Sequence, residues 1–371
     1  MPVAYLHIGS HKTGTTAVQV FLRDHPDWLA QHGIVVPSSQ LPNDSTHHAL
    51  ARAIAGLPSV PGHANLPSLL AEELRTLDGR NILLSSETLE SLMQHEPLAR
   101  RVVSFFAELG YRVETLCWLR PQVSAWNSGY AQQVKTLHRT ETFADNVATR
   151  LERMRKQKPL WRQLEGMPGL RARFFAYDTG VRREGAVAAL VRALGIADTP
   201  PAAGARVNAI CGPLEVFVCR HLARVIAADR AAGPIMHRRN ALLGELRRHQ
   251  LGEAETFWGV TPEISSRIDQ ATAAANEDMA RALWGRPWRE CFADEPDRNR
   301  IPNDLDLHPE VRQSERVRGL LLMAEDAWQR IRPLPEPEID RPLTLREALV
   351  AAGFETDGDK LPKREKAALA L

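Results

Sequence analysis

The stretch AYLHIGSHKTGTTAVQVFL, close to the start of the chain, constrains the fold more than any other. The apolar run PVAYLHI stops at Gly9, and a loop carries the chain to a second glycine, Gly14. The segment TGTTAVQVFLRDH then brings Val18, Phe21 and Leu22 onto one helical face. A short apolar run bounded by glycine reads as a buried strand, and the helical spacing after it as a helix packed on that strand. A strand–loop–helix of this kind turns backbone N–H groups and a helix N-terminus toward an anion. Gly9 and Gly14 have the spacing of the phosphate-binding pattern G-x-x-x-x-G-K-[ST], yet Thr15 stands at the lysine position and Lys12 lies inside the loop.

The following segments repeat the alternation. GIVVP, RNILLSSE, YRVETLCWLR and LRARFFAYD read as further strands. Helical patterns separate them: DWLAQHG, STHHALARAIAGL, LPSLLAEELRTLDG, a long stretch ending near FFAELG, QVSAWNSGYAQQVKTL and EGAVAALVRALGI. Strands alternating with helices imply right-handed crossovers and a mostly parallel sheet covered on both faces. The expected fold is therefore α/β, a three-layer parallel sheet flanked by helices. From about residue 198 only helices are expected, near 213–231, 236–250, 262–284 and 309–331. The expected organisation is an α/β core over 1–200, a helical portion over 201–331 and a C-terminal appendage over 332–371.

Composition narrows the function. Hydrophobic residues make up 44% of the 371 and charged residues 25%, with a formal net charge of +2. Near neutrality argues against an extended nucleic-acid footprint but leaves room for a local basic pocket. The four cysteines, Cys117, Cys211, Cys219 and Cys291, form no C-x-x-C pair or zinc-spaced cluster and read as free thiols. The chain opens on a strand-like run with no signal peptide. No apolar stretch approaches the ~20 residues of a membrane span. A cytoplasmic protein without an integral membrane segment is expected.

The loop and two later motifs resemble the PAPS-dependent sulfotransferases, whose donor is 3′-phosphoadenosine 5′-phosphosulfate (PAPS). That family carries Lys-[Ser/Thr]-Gly-Thr-Thr after a strand, and KTGTT at 12–16 matches it. The form HIGSHKTGTT is similar to the bacterial, carbohydrate-modifying branch. The resemblance implies that Lys12 meets the leaving phosphate oxygen, that Thr13, Gly14, Thr15 and Thr16 cradle the 5′-phosphate with Gly9, and that His11 touches phosphate or acceptor. It also implies an Arg at a later strand end, with a Ser eight residues on, for the 3′-phosphate; WLRPQVSAWNSGY supplies Arg120 and Ser128. FFAYD nominates Tyr177 near the adenine, and RVNAICGPLEVFVCR nominates Arg206 and Asn208 to close over the nucleotide. The likeness spans roughly 1–230, with gaps at 38–80 and 140–170.

An attacking hydroxyl needs a general base. Glu87, at the end of ILLSSE, stands where the family often carries one, with helix capping as its ordinary alternative. His47 and His48, at a helix start, compete with it as base or stand as a surface pair. The resemblance implies no metal, and the missing lysine after Gly14, with no aspartate-ended strand before residue 120, fits that. The acceptor is expected to be a hydroxyl or amine of a glycan, glycolipid or small molecule. The helical half is expected to build the acceptor cleft and a homo-oligomer contact. The tryptophans, Trp118, Trp126, Trp284 and Trp288 among them, read mainly as core, with sugar stacking as the second reading. The rival functions are a magnesium-dependent kinase or other nucleotide phosphotransferase, and an inactive nucleotide-binding partner protein.

Overall fold

A computed structural model describes residues 1–9, 13–39, 46–57, 64–154, 158–201, 211–229, 236–248, 255–294 and 300–333. Along the chain these form β1 (Val3–His7), α1 (Thr15–Asp24), α2 (Pro26–Gln31), β2 (Ile34–Val35), α3 (His48–Ile54), α4 (Leu66–Thr76), β3 (Asn81–Ser85), α5 (Thr88–Met93), α6 (Glu96–Glu108) and β4 (Arg112–Leu119). There follow α7 (Gln122–Lys135), α8 (Phe143–Met154), α9 (Leu160–Leu164), β5 (Leu170–Ala176), α10 (Thr179–Glu184) and α11 (Ala186–Ala193). The last elements are α12 (Pro213–Ala228), α13 (Met236–Arg248), α14 (Pro262–Trp284), α15 (Trp288–Cys291), a 3-10 turn at Leu305–Leu307, α16 (Pro309–Arg312) and α17 (Glu315–Ile331).

The five strands make one parallel sheet in the order β2-β3-β1-β4-β5, flanked by helices. This is the expected α/β fold, and among the described residues no strand follows β5. The strand sequences explain the parallel arrangement. Val113–Trp118 of β4 and Ile82–Ser85 of β3 are buried without a break. Continuous burial marks strands covered on both faces. The chain leaves β1 toward β2 and leaves β4 toward β5, although β1 and β4 are neighbours. The carboxyl ends of that pair are therefore the switch point at which open α/β sheets bind ligands.

Two compact units are present, one built on Met1–Leu119 and Gln157–Ala205, the other on Arg120–Lys156 and Arg206–Ile339. In the first unit, Val18, Phe21 and Leu22 of α1 pack with Leu83, Leu116 and Trp118 of the sheet and with Val187, Leu190 and Val191 of α11. The core of the second unit joins Tyr130 of α7, Phe143 of α8, Leu222 of α12, Ile268 of α14 and Trp328 of α17. Arg220, only 1% exposed, is paired there with Asp306 at 2.6 Å and with the Tyr130 hydroxyl at 3.0 Å.

Several helices differ from expectation for local reasons. The long helix after β3 breaks at His95, whose backbone is extended, and restarts with Pro97 in the first turn of α6. A proline lacks the N–H that a helix interior needs, so it belongs at a start. The expected 309–331 helix is two, because Ser314 caps α17 by accepting from the Val317 N–H. Helices α8, α9, α10 and α15 lie outside the expected helices. Cys117, Cys219 and Cys291 are buried free thiols, Cys211 is a half-buried one, and burial pushes Cys219 up to about 12. Among the described residues no helix is long and apolar enough to cross a membrane.

Candidate active site

The loop after β1 needs its two glycines for different reasons. At Gly9 a Cβ would stand 2.6 Å from Thr15 Oγ1, so the strand can approach the helix start only without a side chain. Gly14 has φ +83°, and a Cβ there would lie 2.4 Å from the Ala186 Cβ. Helix α1 begins with no capping side chain on Gly14 and no acidic residue in its first turn. An uncapped helix start leaves N–H groups and a partial positive charge for an anion. Thr13 and Thr15 are both buried, and Thr15 Oγ1 has no hydrogen-bond partner among the described residues. A buried hydroxyl without a partner costs about 1–3 kcal/mol. A phosphate oxygen in the loop would satisfy it.

Beside the loop, the ends of β1 and β3 hold a polar cluster. His7 lies opposite Ser85 in the sheet register, and its Nδ1 is 2.8 Å from Ser85 Oγ. Burial pushes the His7 imidazole down to about 4, against a smaller opposing pull from Glu87. His7 is therefore neutral at neutral pH.

Glu87 occupies the N-cap position of α5, but its side chain makes no capping bond. Ser86 Oγ instead accepts from the Thr88 N–H at 3.1 Å. The Glu87 carboxylate turns back toward α1, where its Oε2 accepts from Gln19 Nε2 at 2.9 Å. The same oxygen lies 3.3 Å from His48 Nε2. Its Oε1 has no partner among the described residues. The carboxylate is largely buried, its side chain 20% exposed.

The two histidines behave differently. His48 Nδ1 is 2.6 Å from Ser86 Oγ and 3.2 Å from Thr88 Oγ1. With the Ser86 hydroxyl donating to Nδ1, the ring proton sits on Nε2 and points at Glu87. His48 and Glu87 thus form one hydrogen-bonded pair. His47 is buried and its Nδ1 accepts from the Ser85 N–H at 3.1 Å, tying the start of α3 to the end of β3. Gln19 was not singled out in the sequence. Its signal is its place one turn beyond Thr15, on the loop-facing side of α1.

Tyr177, half-buried just after β5, donates its N–H to the Leu119 carbonyl at 2.7 Å. Its hydroxyl lies 3.9 Å from where a Gly14 Cβ would be, and Arg182 stands over its ring at 5.8 Å. His11 and Lys12, and likewise Arg206 and Asn208, lie outside the described residues.

In the second unit, Arg120 and Ser128 come together. Arg120 Nη1 donates to Ser128 Oγ at 3.3 Å, and Arg120 Nε donates to Ser124 Oγ at 3.2 Å. Arg120 lies just before α7, and Ser124 and Ser128, four residues apart, share the face of that helix it reaches; Ser124 is a member not read from the sequence. Both bonds are longer than the usual ~2.9 Å for N–H···O.

No protein-family model matches this chain, and no curated protein does. A crystal structure of a sulfotransferase from Alicyclobacillus acidocaldarius is similar at 20% identity, over 66% of this chain and 96% of that one, with a TM-score of 0.33. A likeness at that score carries no argument about the site.

Proposed function

We propose that this chain is a sulfotransferase that transfers a sulfuryl group from PAPS to a hydroxyl or amine of a glycan, glycolipid or small-molecule acceptor. The observation that carries the reading lies within the first unit. A phosphate-type loop with an unpartnered buried hydroxyl follows β1, and a largely buried carboxylate with one uncommitted oxygen follows the neighbouring strand β3.

The residues fit the donor. The Gly9–Thr15 contact, the left-handed Gly14 and the uncapped α1 start suit a 5′-phosphate, and Thr15 Oγ1 supplies a hydroxyl in need of a partner. PAPS, when bound, supplies the sulfuryl group and departs as the 3′,5′-bisphosphate PAP. Lys12 offsets the negative charge left on the 5′-phosphate, a stabilisation delivered where charge develops. Glu87 takes the acceptor proton on Oε1. Gln19 and His48 act on Oε2 and hold the carboxylate, so they are positioning residues, and His47 holds α3 in place behind them. Arg120 and Ser128 take the 3′-phosphate, for which the planar guanidinium is suited, and Tyr177 lies against the nucleotide.

Labelled PAPS incubated with sugars, lipids and phenols tests the reading. Label should pass to at least one hydroxyl-bearing class. If labelled phosphate moves from ATP with magnesium and no sulfate moves from PAPS, the chain is a kinase.

A second expectation concerns the 3′-phosphate. Arg120→Ala should weaken PAP binding by about 2 kcal/mol, since it removes charge-assisted hydrogen bonds. Ser128→Ala should cost about 1 kcal/mol. Titrations with adenosine 5′-phosphosulfate, which lacks the 3′-phosphate, should be nearly unchanged by either substitution. Equal losses for the two nucleotides would make Arg120 and Ser128 supports of the fold alone.

A further inference from the structure

The second unit contains a cavity of about 850 Å³ that none of the roles above uses. That volume lies within the ~300–1,000 Å³ of small-molecule sites. One wall is aromatic. Trp288 lines it, half-buried, stacked on Trp284 at 6.0 Å and 20° and tilted against Phe292 at 4.5 Å. Trp258 also lines the cavity, with the Arg300 guanidinium over its ring at 5.3 Å. Ile301, 81% exposed, adds a large apolar side chain to the lining.

The opposite character comes from one stripe of α14. Ser265, Ser266, Asp269, Gln270 and Ala273 line the cavity at helical spacing, all short or polar. Asn276, also in the lining, exchanges amide hydrogen bonds of 2.7 and 2.9 Å with Gln122 and donates to Thr272 Oγ1 at 3.1 Å. Those amide groups are already paired, so the hydrogen bonds open to a ligand come from the serine-bearing stripe and from the Trp258 Nε1–H, a buried donor with no partner among the described residues. Asp269 and Arg300 are the two charged lining residues, and their formal charges cancel. An ion would find no surplus of opposite charge here, and burying it unpaired is costly.

We infer that this cavity binds an uncharged, amphipathic ring compound that lays an apolar face on Trp288 and turns several hydroxyls toward the Ser265–Gln270 stripe. Ser124 belongs both to the cavity lining and to the Arg120 shelf, so the ligand lies beside whatever that shelf holds. A compound of this class carries the free hydroxyls that sulfuryl transfer needs. That it is the acceptor rests on the sulfotransferase reading; that it binds in the cavity does not.

Calorimetric titration of the full chain without nucleotide tests the site, with phenyl β-D-glucopyranoside as the probe. Glucose removes the apolar half of the probe, and phenyl β-D-glucuronide adds a charge. The phenyl glucoside should bind at least tenfold more tightly than either. Ala273→Trp, at an exposed position of α14, should fill the cavity and cost at least tenfold. Trp288→Ala should cost as much, and if that variant fails to fold, Ala273→Trp decides alone. Both substitutions should leave the PAP-induced melting shift intact. No binding of the glucoside, equal binding of the glucuronide, or an Ala273→Trp variant that binds like the parent would overturn the assignment. Loss of the PAP shift in the parent chain, with glucoside binding retained, would count against the sulfotransferase reading and not against the cavity.

Discussion

Glu87→Gln is expected to lower turnover by ~10²–10⁴-fold, the usual contribution of a general base, with little change in PAP affinity. Gln preserves the size of the side chain and an oxygen that can accept from Gln19 Nε2, now 2.9 Å from the Glu87 carboxylate. What it removes is the ability of the uncommitted Oε1 to accept a proton. The pairing with His48 supplies the control. His48→Ala deletes the Nε2 contact at 3.3 Å but leaves the carboxylate and its bond to Gln19, so its loss should be smaller and should shift the pH–rate profile. Steady-state rates and PAP titrations on both variants separate the roles. If His48→Ala abolishes turnover while Glu87→Gln remains active, the proton goes to the imidazole and Glu87 only orients it.

The second large effect is on stability. His7 is buried, and burial holds its imidazole near 4 in the folded chain, below the ordinary 6.5. The folded state therefore binds fewer protons than the unfolded state between those values. Stability is fully present above about 6.5 and is lost as the pH falls toward 4, at up to ~1.4 kcal/mol per pH unit. Across that window His7 alone should cost about 3 kcal/mol. His7→Asn keeps a hydrogen-bonding atom near the Nδ1 position and does not titrate. Denaturant unfolding from pH 7 to 4 should show a shallower decline for His7→Asn than for the parent chain. Parallel declines would mean that the imidazole takes up its proton in the folded state without penalty.

The central strands were legible as short, mostly apolar runs such as ILL of β3, whereas β4 buries Glu114 and Thr115 along with its apolar residues, a burial that the sequence does not announce. Helix α14 was legible to its ends. Thr261 caps it by accepting from the Ile264 N–H, Pro262 opens its first turn, and Gly285 closes it in the left-handed conformation. The loop glycines were legible as a spacing, but the contacts that demand them, with Thr15 and Ala186, come from elements brought together only by folding. Gln19 and Ser124 escaped for a related reason. Each is a polar residue in an amphipathic helix, where an exposed position is the ordinary expectation, and each is buried against a charged partner contributed from outside its helix. The sequence treated Glu87 and His48 as rivals because they are far apart in the chain. The sheet register and the start of α3 make them neighbours. The break at His95 has its signal in Pro97, which belongs at a helix start.

The central claim is that the loop after β1 serves a 3′,5′-bisphosphorylated nucleotide. Thermal unfolding of the purified chain with PAP, with adenosine 5′-phosphosulfate, and with ATP plus magnesium tests it most directly. A ligand that binds only the folded state, at about 100 times its dissociation constant, stabilises by ~2.7 kcal/mol. PAP should raise the melting temperature on that scale without magnesium, adenosine 5′-phosphosulfate should raise it less, and ATP with magnesium should barely move it. A rise with ATP and magnesium and none with PAP would contradict the account.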